Sequence, residues 1–321
     1  MQGLVTVFGG TGFVGRHTVR ALAKAGWRVR VACRRPHLAP ELKVMGEVGQ
    51  IELMQANVRV PSSVDRAVEG AEAVVYLVGA LWESGPQKFD ALHVDGPQTV
   101  AKAAAAADIS RFVLISAIGA DANSASKYAR TKAAGEAAVR EAVPTATIVR
   151  PSVVFGQEDS FFNKFGAMAG LAPALPLIGG GATRFQPVFA GDVGKAVAAV
   201  VATPKAAGKT YELGGPGVYS FKTLMEIVCK ETQRKRVLVP IPFGAAKLLG
   251  LGGDIMSFLP FAPPVTTDQV EMLKTDNVAD HGLPGLAELG VTPTPLEGVI
   301  PTYLWRFRKG GQFAQPETAN A

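Results

Sequence analysis

Tyr128 and Lys132 stand four residues apart in "YARTK", a spacing that puts both on one face of a helix. A phenol beside an ammonium is an acid–base pair. The positive charge favours phenolate, so the phenol can exchange a proton with a carbonyl or alcohol, while the lysine also grips ribose hydroxyls. Of the five tyrosines, only Tyr128 has a lysine at this spacing. Two exposed helix residues would read the same way, so the pair gains meaning only if the chain also brings a redox cofactor. The stretch "TVFGGTGFVGRH" (6 to 17) offers one. Gly9, Gly12 and Gly15 form GxxGxxG between an apolar run and a helical one, with Phe13 and Val14 opening the helix. In such a turn the first glycine takes positive φ, the second admits a pyrophosphate against backbone, and the third packs helix on strand. The anion then rests on the free N–H groups of the helix N-terminus.

About 20 residues on, where an acidic side chain would hold a ribose 2′-hydroxyl, the sequence reads "VACRRP". Arg34 and Arg35 occupy that strand end. Guanidinium matches a 2′-phosphate through paired bonds, so NADP(H) is favoured and NAD(H) stays open. "QANVR" brings Asn57 and Val58 to the adenine side, and "YLVGA" brings Leu77, Val78 and Gly79 beneath the ribose. Ser116 after the fifth apolar run, and Pro151 and Val153 after the sixth, complete the candidate contacts.

These residues need a frame that gathers strand ends. Over residues 1 to 150 short Val/Ile-rich runs alternate with Ala-rich helical runs: "GLVTVF", "VGRHTVRALAKAG", "RVRVAC", "IELMQA", "VDRAVEG", "AEAVVYLV", "PQTVAKAAAAA", "RFVLIS", "SKYARTKAAGEAAVREA", "ATIVRP". That order predicts right-handed βαβ crossovers and an α/β, doubly wound parallel sheet. The runs are continuously apolar, as strands covered on both faces must be. The expected division is a dinucleotide-binding domain over 1–155, with returning strands near 185–215. A smaller interleaved C-terminal region takes 156–184 and 216–307, and the polar tail 308–321 reads as disordered.

Composition narrows the function classes. Of 321 residues, 33 are Lys or Arg and 27 are Asp or Glu, a net charge of +6 without long basic tracts, so no nucleic-acid partner is expected. A phosphate-bearing ligand, an acidic partner or an anionic membrane surface suits that charge. Cys33 and Cys229 make no CxxC, and His17, His37, His93 and His281 make no HxxxH, so no metal is expected. No secretory leader precedes the first apolar run; the expectation is a cytoplasmic chain, peripheral on the inner face of a membrane if it meets one. Residues 237 to 264 are apolar, broken by Gly and Pro, and flanked by Arg234, Lys235, Arg236 and Lys247. They are either a lipid-facing surface or subdomain core. Phe155, Phe161, Phe162 and Phe165 are likewise either a lid and docking surface or core.

With the glycine turn, the YxxxK helix, "RPSVVFG" and "QPVFAGDV" in view, the chain resembles the short-chain dehydrogenase/reductase superfamily in its extended and atypical branches. "TVFGGTGFVGR", "SKYARTKAAGE", "VRPSVVFGQEDSFFNKF" and "GPGVYSF" narrow the likeness to the nucleotide-binding accessory subunits of respiratory complex I (alpha subcomplex subunit nine) and their bacterial relatives, over about residues 3 to 300. The resemblance implies a Rossmann-type fold, complex I subunits as partners and a link to ubiquinone. Active members add a Ser or Thr hydroxyl at the fifth strand's end; here Ala117 and Ile118 follow Ser116. Extended epimerases tend to carry Asn where His93 stands. The implied role is an accessory or stabilising protein that holds NADP(H) more than it turns it over. The alternative is a reductase or nucleoside-diphosphate-sugar epimerase using Tyr128 and Lys132.

Overall fold

The computed structural model describes residues 3–256 and 265–313. Its centre is a seven-stranded sheet formed by β1 (Leu4–Phe8), β2 (Arg28–Cys33), β3 (Ile51–Gln55), β4 (Ala73–Tyr76), β5 (Arg111–Ile115), β6 (Thr147–Pro151) and a strand at Thr210–Leu213 numbered below. All the pairings are parallel. The helices between the strands are α1 (Phe13–Lys24), α2 (Pro61–Val68), α3 (Gly96–Ala106) and α4 (Lys127–Ala142).

The six apolar runs that alternate with helical ones in the sequence are thus β1 to β6. Their residues alternate between two cores. Val5, Val7, Val29, Val31, Val113 and Val149 face one side, while Phe8, Val74, Tyr76, Phe112, Leu114 and Ile148 face the other. Burial on both faces is what the continuous apolar character of these strands reflects. Gly26, at φ +86°, ends the turn after α1 in the left-handed region that a side chain would resist.

After β6 the chain leaves the sheet and returns. It forms β7 (Val154–Phe155), α5 (Phe162–Leu171), β8 (Ala174–Ile178), β9 (Arg184–Phe185) and β10 (Val188–Phe189). Helix α6 (Ala190–Ala202) packs against α1, and Gly194 makes this possible, since a Cβ there would lie 2.6 Å from the His17 carbonyl oxygen. β11 (Thr210–Leu213) then joins the sheet edge beside β6. Arg150 on β6 binds Glu136 of α4 at 2.6 Å and Glu212 of β11 at 3.4 Å, tying that edge together.

The remainder is β12 (Tyr219–Ser220), α7 (Phe221–Glu231), β13 (Val237–Ile241), α8 (Phe243–Met256) and α9 (Thr267–Met272). β13 pairs with β8, and β12 with β9. Phe155 and Phe162 are fully buried here, with Phe161 and Phe165 packed edge-on against Phe221. This aromatic cluster is core, not a lid or docking surface. Arg234 and Arg236 are also not free for a surface role, because they donate to the carbonyls of Phe307 and Ala169. Of the tail 308–321, Arg308 donates to the Glu231 carbonyl at 2.7 Å and Gly311–Phe313 makes a 3-10 turn. Residues 314–321, and 257–264 of the apolar segment, lie outside the described residues.

Candidate dinucleotide and carbonyl site

The strand order β11-β6-β5-β4-β1-β2-β3 reverses between β1 and β4. A crevice opens outside the carboxyl ends of parallel strands at such a switch point, and the glycine turn sits there. Gly9 has φ +87°, and a Cβ on it would press to 2.9 Å on the backbone of Leu77 and Val78. Gly15 is tighter still, with a Cβ 2.1 Å from the Gly9 carbonyl oxygen. Gly12 differs: it caps α1 with its N–H donating to Gly9 at 3.0 Å, and a Cβ on it would meet only that oxygen, at 3.4 Å. Two glycines are therefore demanded by packing, and the middle one keeps space open at a helix N-terminus.

Beyond β2, a cavity of about 460 Å³ is lined by Thr11, Arg16, Cys33, Arg34, Arg35 and Ala39, among others. Both arginines are exposed at its edge. Arg16, which follows the third glycine, binds Glu158 at 2.9 Å and Glu41 at 3.4 Å. Asn57 follows β3; its N–H donates to Ser63 Oγ and its Oδ1 accepts from Arg59. Val58 packs beneath β4 in the core of that face. Phe13 lies against Gly156, where a Cβ would stand 3.1 Å from its ring. Pro151 accepts from the Ile118 N–H, and Val153 donates to Asn277 Oδ1.

Opposite the glycine turn, one π-helical turn, Ala91–Asp95, leads into α3 and carries His93. Such turns are frequent at functional sites. Helix α4 rests directly on it, because a Cβ at Gly135 would lie 1.8 Å from the His93 carbonyl oxygen. This close approach gathers three side chains. A Cβ at Gly79 would be 3.5 Å from both His93 Nε2 and Lys132 Nζ, and Tyr128 lies edge-on to His93 with ring centroids 5.2 Å apart.

Residues 5–214 match the NAD dependent epimerase/dehydratase family. The chain belongs to that family. It is 36% identical over 296 residues to "NADH dehydrogenase [ubiquinone] 1 alpha subcomplex subunit 9, mitochondrial" of Mus musculus, covering 92% of this chain and 78% of the relative. It is 38% identical over 177 residues to the "Ceramide reductase" of Caulobacter vibrioides, covering 55% of this chain and 54% of the relative. Among solved structures, the Citrobacter sp. triphenylmethane reductase complexed with NADP(H) shares the fold with a TM-score of 0.74 at 20% identity, over 93% of this chain and 99% of that one. As in other members of the NAD dependent epimerase/dehydratase family, a Tyr and a Lys thus stand across the crevice from the glycine turn.

Their state in this family member departs from the sequence expectation. Lys132 does not lower the phenol pKa: burial, and then the Asp268 carboxylate, push Tyr128 well up. Lys132 Nζ lies 5.8 Å from the Tyr128 ring centroid and donates to the Ile115 carbonyl at 3.2 Å. Burial brings Lys132 down to about 8, against the opposing pull of Glu136. A protonated phenol with no hydrogen bond among the described residues can give a proton but not take one.

His93 is held neutral, its pKa lowered to about 2 by burial and by Lys132. Its Nε2 accepts from the Ala80 N–H at 3.2 Å, so Nδ1 carries the proton and faces Thr131 Oγ1 at 3.1 Å. Thr131 in turn donates to the Tyr128 carbonyl at 3.0 Å.

Asp268 of α9 was not foreseen, for it lies 140 residues from its partners. It accepts from Ser126 Oγ (2.9 Å), Lys127 N (2.6 Å) and Tyr128 N (3.2 Å), so it fixes the N-terminus of α4. Lys127 adds a rim contact, held between Glu83 and Asp90 at 3.0 and 3.1 Å.

At the end of β5, Ser116 Oγ is buried without a hydrogen-bond partner among the described residues, while Ile118 is only 6% exposed. An orphaned buried hydroxyl beside an open glycine cradle and an arginine-edged cavity fits a dinucleotide. Among the described residues no cluster of His, Cys, Asp and Glu could hold a metal, and no helix is long and apolar enough to cross a membrane.

Proposed function

We propose that the chain binds NADP(H) and keeps it as a structural nucleotide, in an accessory or assembly role linked to respiratory complex I. The pyrophosphate would lie at Gly12 on the N-terminus of α1, and Arg34 and Arg35 would face the 2′-phosphate. Asn57 and Val58 would flank the adenine, and Leu77, Val78 and Gly79 would sit under the ribose. Tyr128 and Lys132 would grip the nicotinamide ribose, with Ser116, Pro151 and Val153 beside the nicotinamide.

The observation that carries this reading is the apolar end of β5. Ile118 packs where active members present a hydroxyl to a carbonyl, and loss of one such donor raises a barrier by about 2.7–4 kcal/mol. The mouse subunit 9 relative matches the small C-terminal region as well as the sheet, which supports a shared partner surface. The test is affinity purification from the native cell under mild conditions, with the co-purifying chains and released nucleotide identified by mass spectrometry. Complex I subunits and NADP(H) are the expected result; nucleotide-free protein without them would overturn the proposal.

A second reading, an NADP(H)-dependent carbonyl reductase, is favoured by the Tyr128 hydroxyl. The bound cofactor would supply hydride. The protonated phenol would deliver a proton to the developing alkoxide, Lys132 would hold the ribose, and neutral His93 would keep the Tyr128 backbone in place through Thr131. The ceramide reductase relative gives this reading a precedent within the matched residues.

A further inference from the structure

Helix α8 is built inside out. An ordinary surface helix turns its large apolar residues inward; α8 buries Ala246, Gly250 and Gly253 instead. These small residues share one stripe at i, i+4 and i+7, and they let the helix lie on the backbone leading into α9. A Cβ at Gly250 would come within 2.8 Å of Thr267, and one at Gly253 within 1.7 Å of the Val265 carbonyl oxygen. The opposite face shows Leu248 (71% exposed), Leu249, Leu251, Ile255 (72% exposed) and Met256 to solvent.

The exposed apolar surface continues past the helix. Val237 and Val239 of β13 are exposed one connecting turn away. β13 runs beside β8, and the Val237 N–H donates to Pro173, two residues after the 91% exposed Leu171. In sequence, α8 is followed by "SFLPFAPP", which carries no charge. So large a set of exposed apolar residues marks a contact surface.

Its charge names the occupant. No carboxylate stands on the outward arc; Asp254, the only acid of α8, accepts from the Thr267 N–H on the inner side. Lys247 and Lys235 are exposed at the margins, on a chain of net charge +6. Apolar side chains rimmed by lysine suit the boundary between acyl chains and anionic headgroups. At 14 residues α8 is too short to cross a bilayer.

We propose that α8 docks the protein on an anionic lipid bilayer, with Leu248, Leu249, Leu251 and Ile255 in the acyl boundary and Lys247 and Lys235 at headgroup phosphates. Because α8 rests on α9, and Asp268 of α9 holds the start of α4, docking places the bilayer beside the helix that carries Tyr128. The proposal does not depend on whether the bound nucleotide is turned over.

The test is flotation of the full chain with vesicles of phosphatidylcholine alone or mixed with phosphatidylglycerol. The protein should float with the mixed vesicles and release at high salt. Leu248→Asp with Ile255→Asp should weaken binding by about a hundredfold, since two leucine-sized side chains no longer leave water. Lys247→Gln should weaken it by about fivefold. Retention of the NADPH-induced rise in melting temperature would show that the variants stay folded. As a second readout, a tryptophan introduced by Leu251→Trp should be quenched by brominated acyl chains. Wild-type protein that stays at the bottom of the gradient, flotation unchanged in the double variant, or an unquenched tryptophan would each overturn the proposal. A dimer in solution that the double variant converts to monomer, without flotation of the wild type, would assign the face to a second copy instead.

Discussion

Replacing Lys132 with methionine is expected to stabilise the nucleotide-free protein while removing its response to NADPH. Methionine keeps the length and apolar stem of the lysine and removes only the charge. In the native chain burial brings the lysine from its ordinary 10.5 to about 8, which at about 1.36 kcal/mol per unit makes carrying the charge at neutral pH cost about 3 kcal/mol. Against this, the variant loses the bond to the Ile115 carbonyl, worth about 1 kcal/mol. The net gain is about 2 kcal/mol, or a melting temperature higher by about 4 °C for a chain of this size. The pH dependence provides a second signature. Below pH 8 both native and unfolded chains hold the proton and the native state bears the full cost. Between about 8 and 10.5 the unfolded chain holds more protons, so wild-type stability rises with pH. The advantage of Lys132→Met should shrink over that window and vanish near its upper end. Scanning calorimetry of both proteins across this range is the assay. A variant less stable than wild type at pH 7, with a parallel pH profile, would refute the idea that Lys132 is held at the cost of folding.

Calorimetric titration should find NADPH bound more tightly than NADH, and Arg34→Ala should lose about 1.5–3 kcal/mol of binding to NADPH alone; equal affinities in the parent would count against the arginine edge. Gly12→Val should fold with nearly unchanged stability, since a Cβ there meets only the Gly9 oxygen at 3.4 Å. It should nevertheless abolish the stabilisation of about 2.7 kcal/mol expected from NADPH at a hundredfold excess over Kd. Gly15→Ala should do the reverse at the level of folding, costing about 3 kcal/mol or more as its Cβ is forced to within 2.1 Å of the Gly9 oxygen; differential scanning fluorimetry separates the two. Tyr128→Phe should weaken NADPH binding only slightly, because the lysine carries the charge that grips the ribose.

The sheet was legible because both of its faces are buried: Val5, Val7, Val29 and Val31 repeat a signal that local periodicity reads directly. The glycine turn was legible because its three roles are local, between residues 9 and 15. The state of the Tyr128–Lys132 pair was not. Helical spacing gives proximity, but the pKa of each group depends on burial under α9 and on Asp268, set by chain far away in sequence. His93 could be flagged only as an unexpected residue type; that it faces Gly79 and Lys132 follows from Gly135 letting α4 sit on the π turn. The phenylalanines of 155–165 and the leucines of α8 illustrate the same limit. Both are apolar clusters in sequence, yet the small-residue stripe Ala246, Gly250, Gly253 sends one outward, while the returning strands enclose the other.

The central claim, that the nucleotide is kept rather than used, is tested most directly by following the fluorescence of NADPH bound to the purified protein in single-turnover mixes with simple carbonyls, UDP-sugars and 3-keto lipids presented in vesicles. The account predicts one NADP(H) per chain and a decay no faster in wild type than in Tyr128→Phe. Oxidation by any of these carbonyls that depends on Tyr128 would contradict it and establish the reductase.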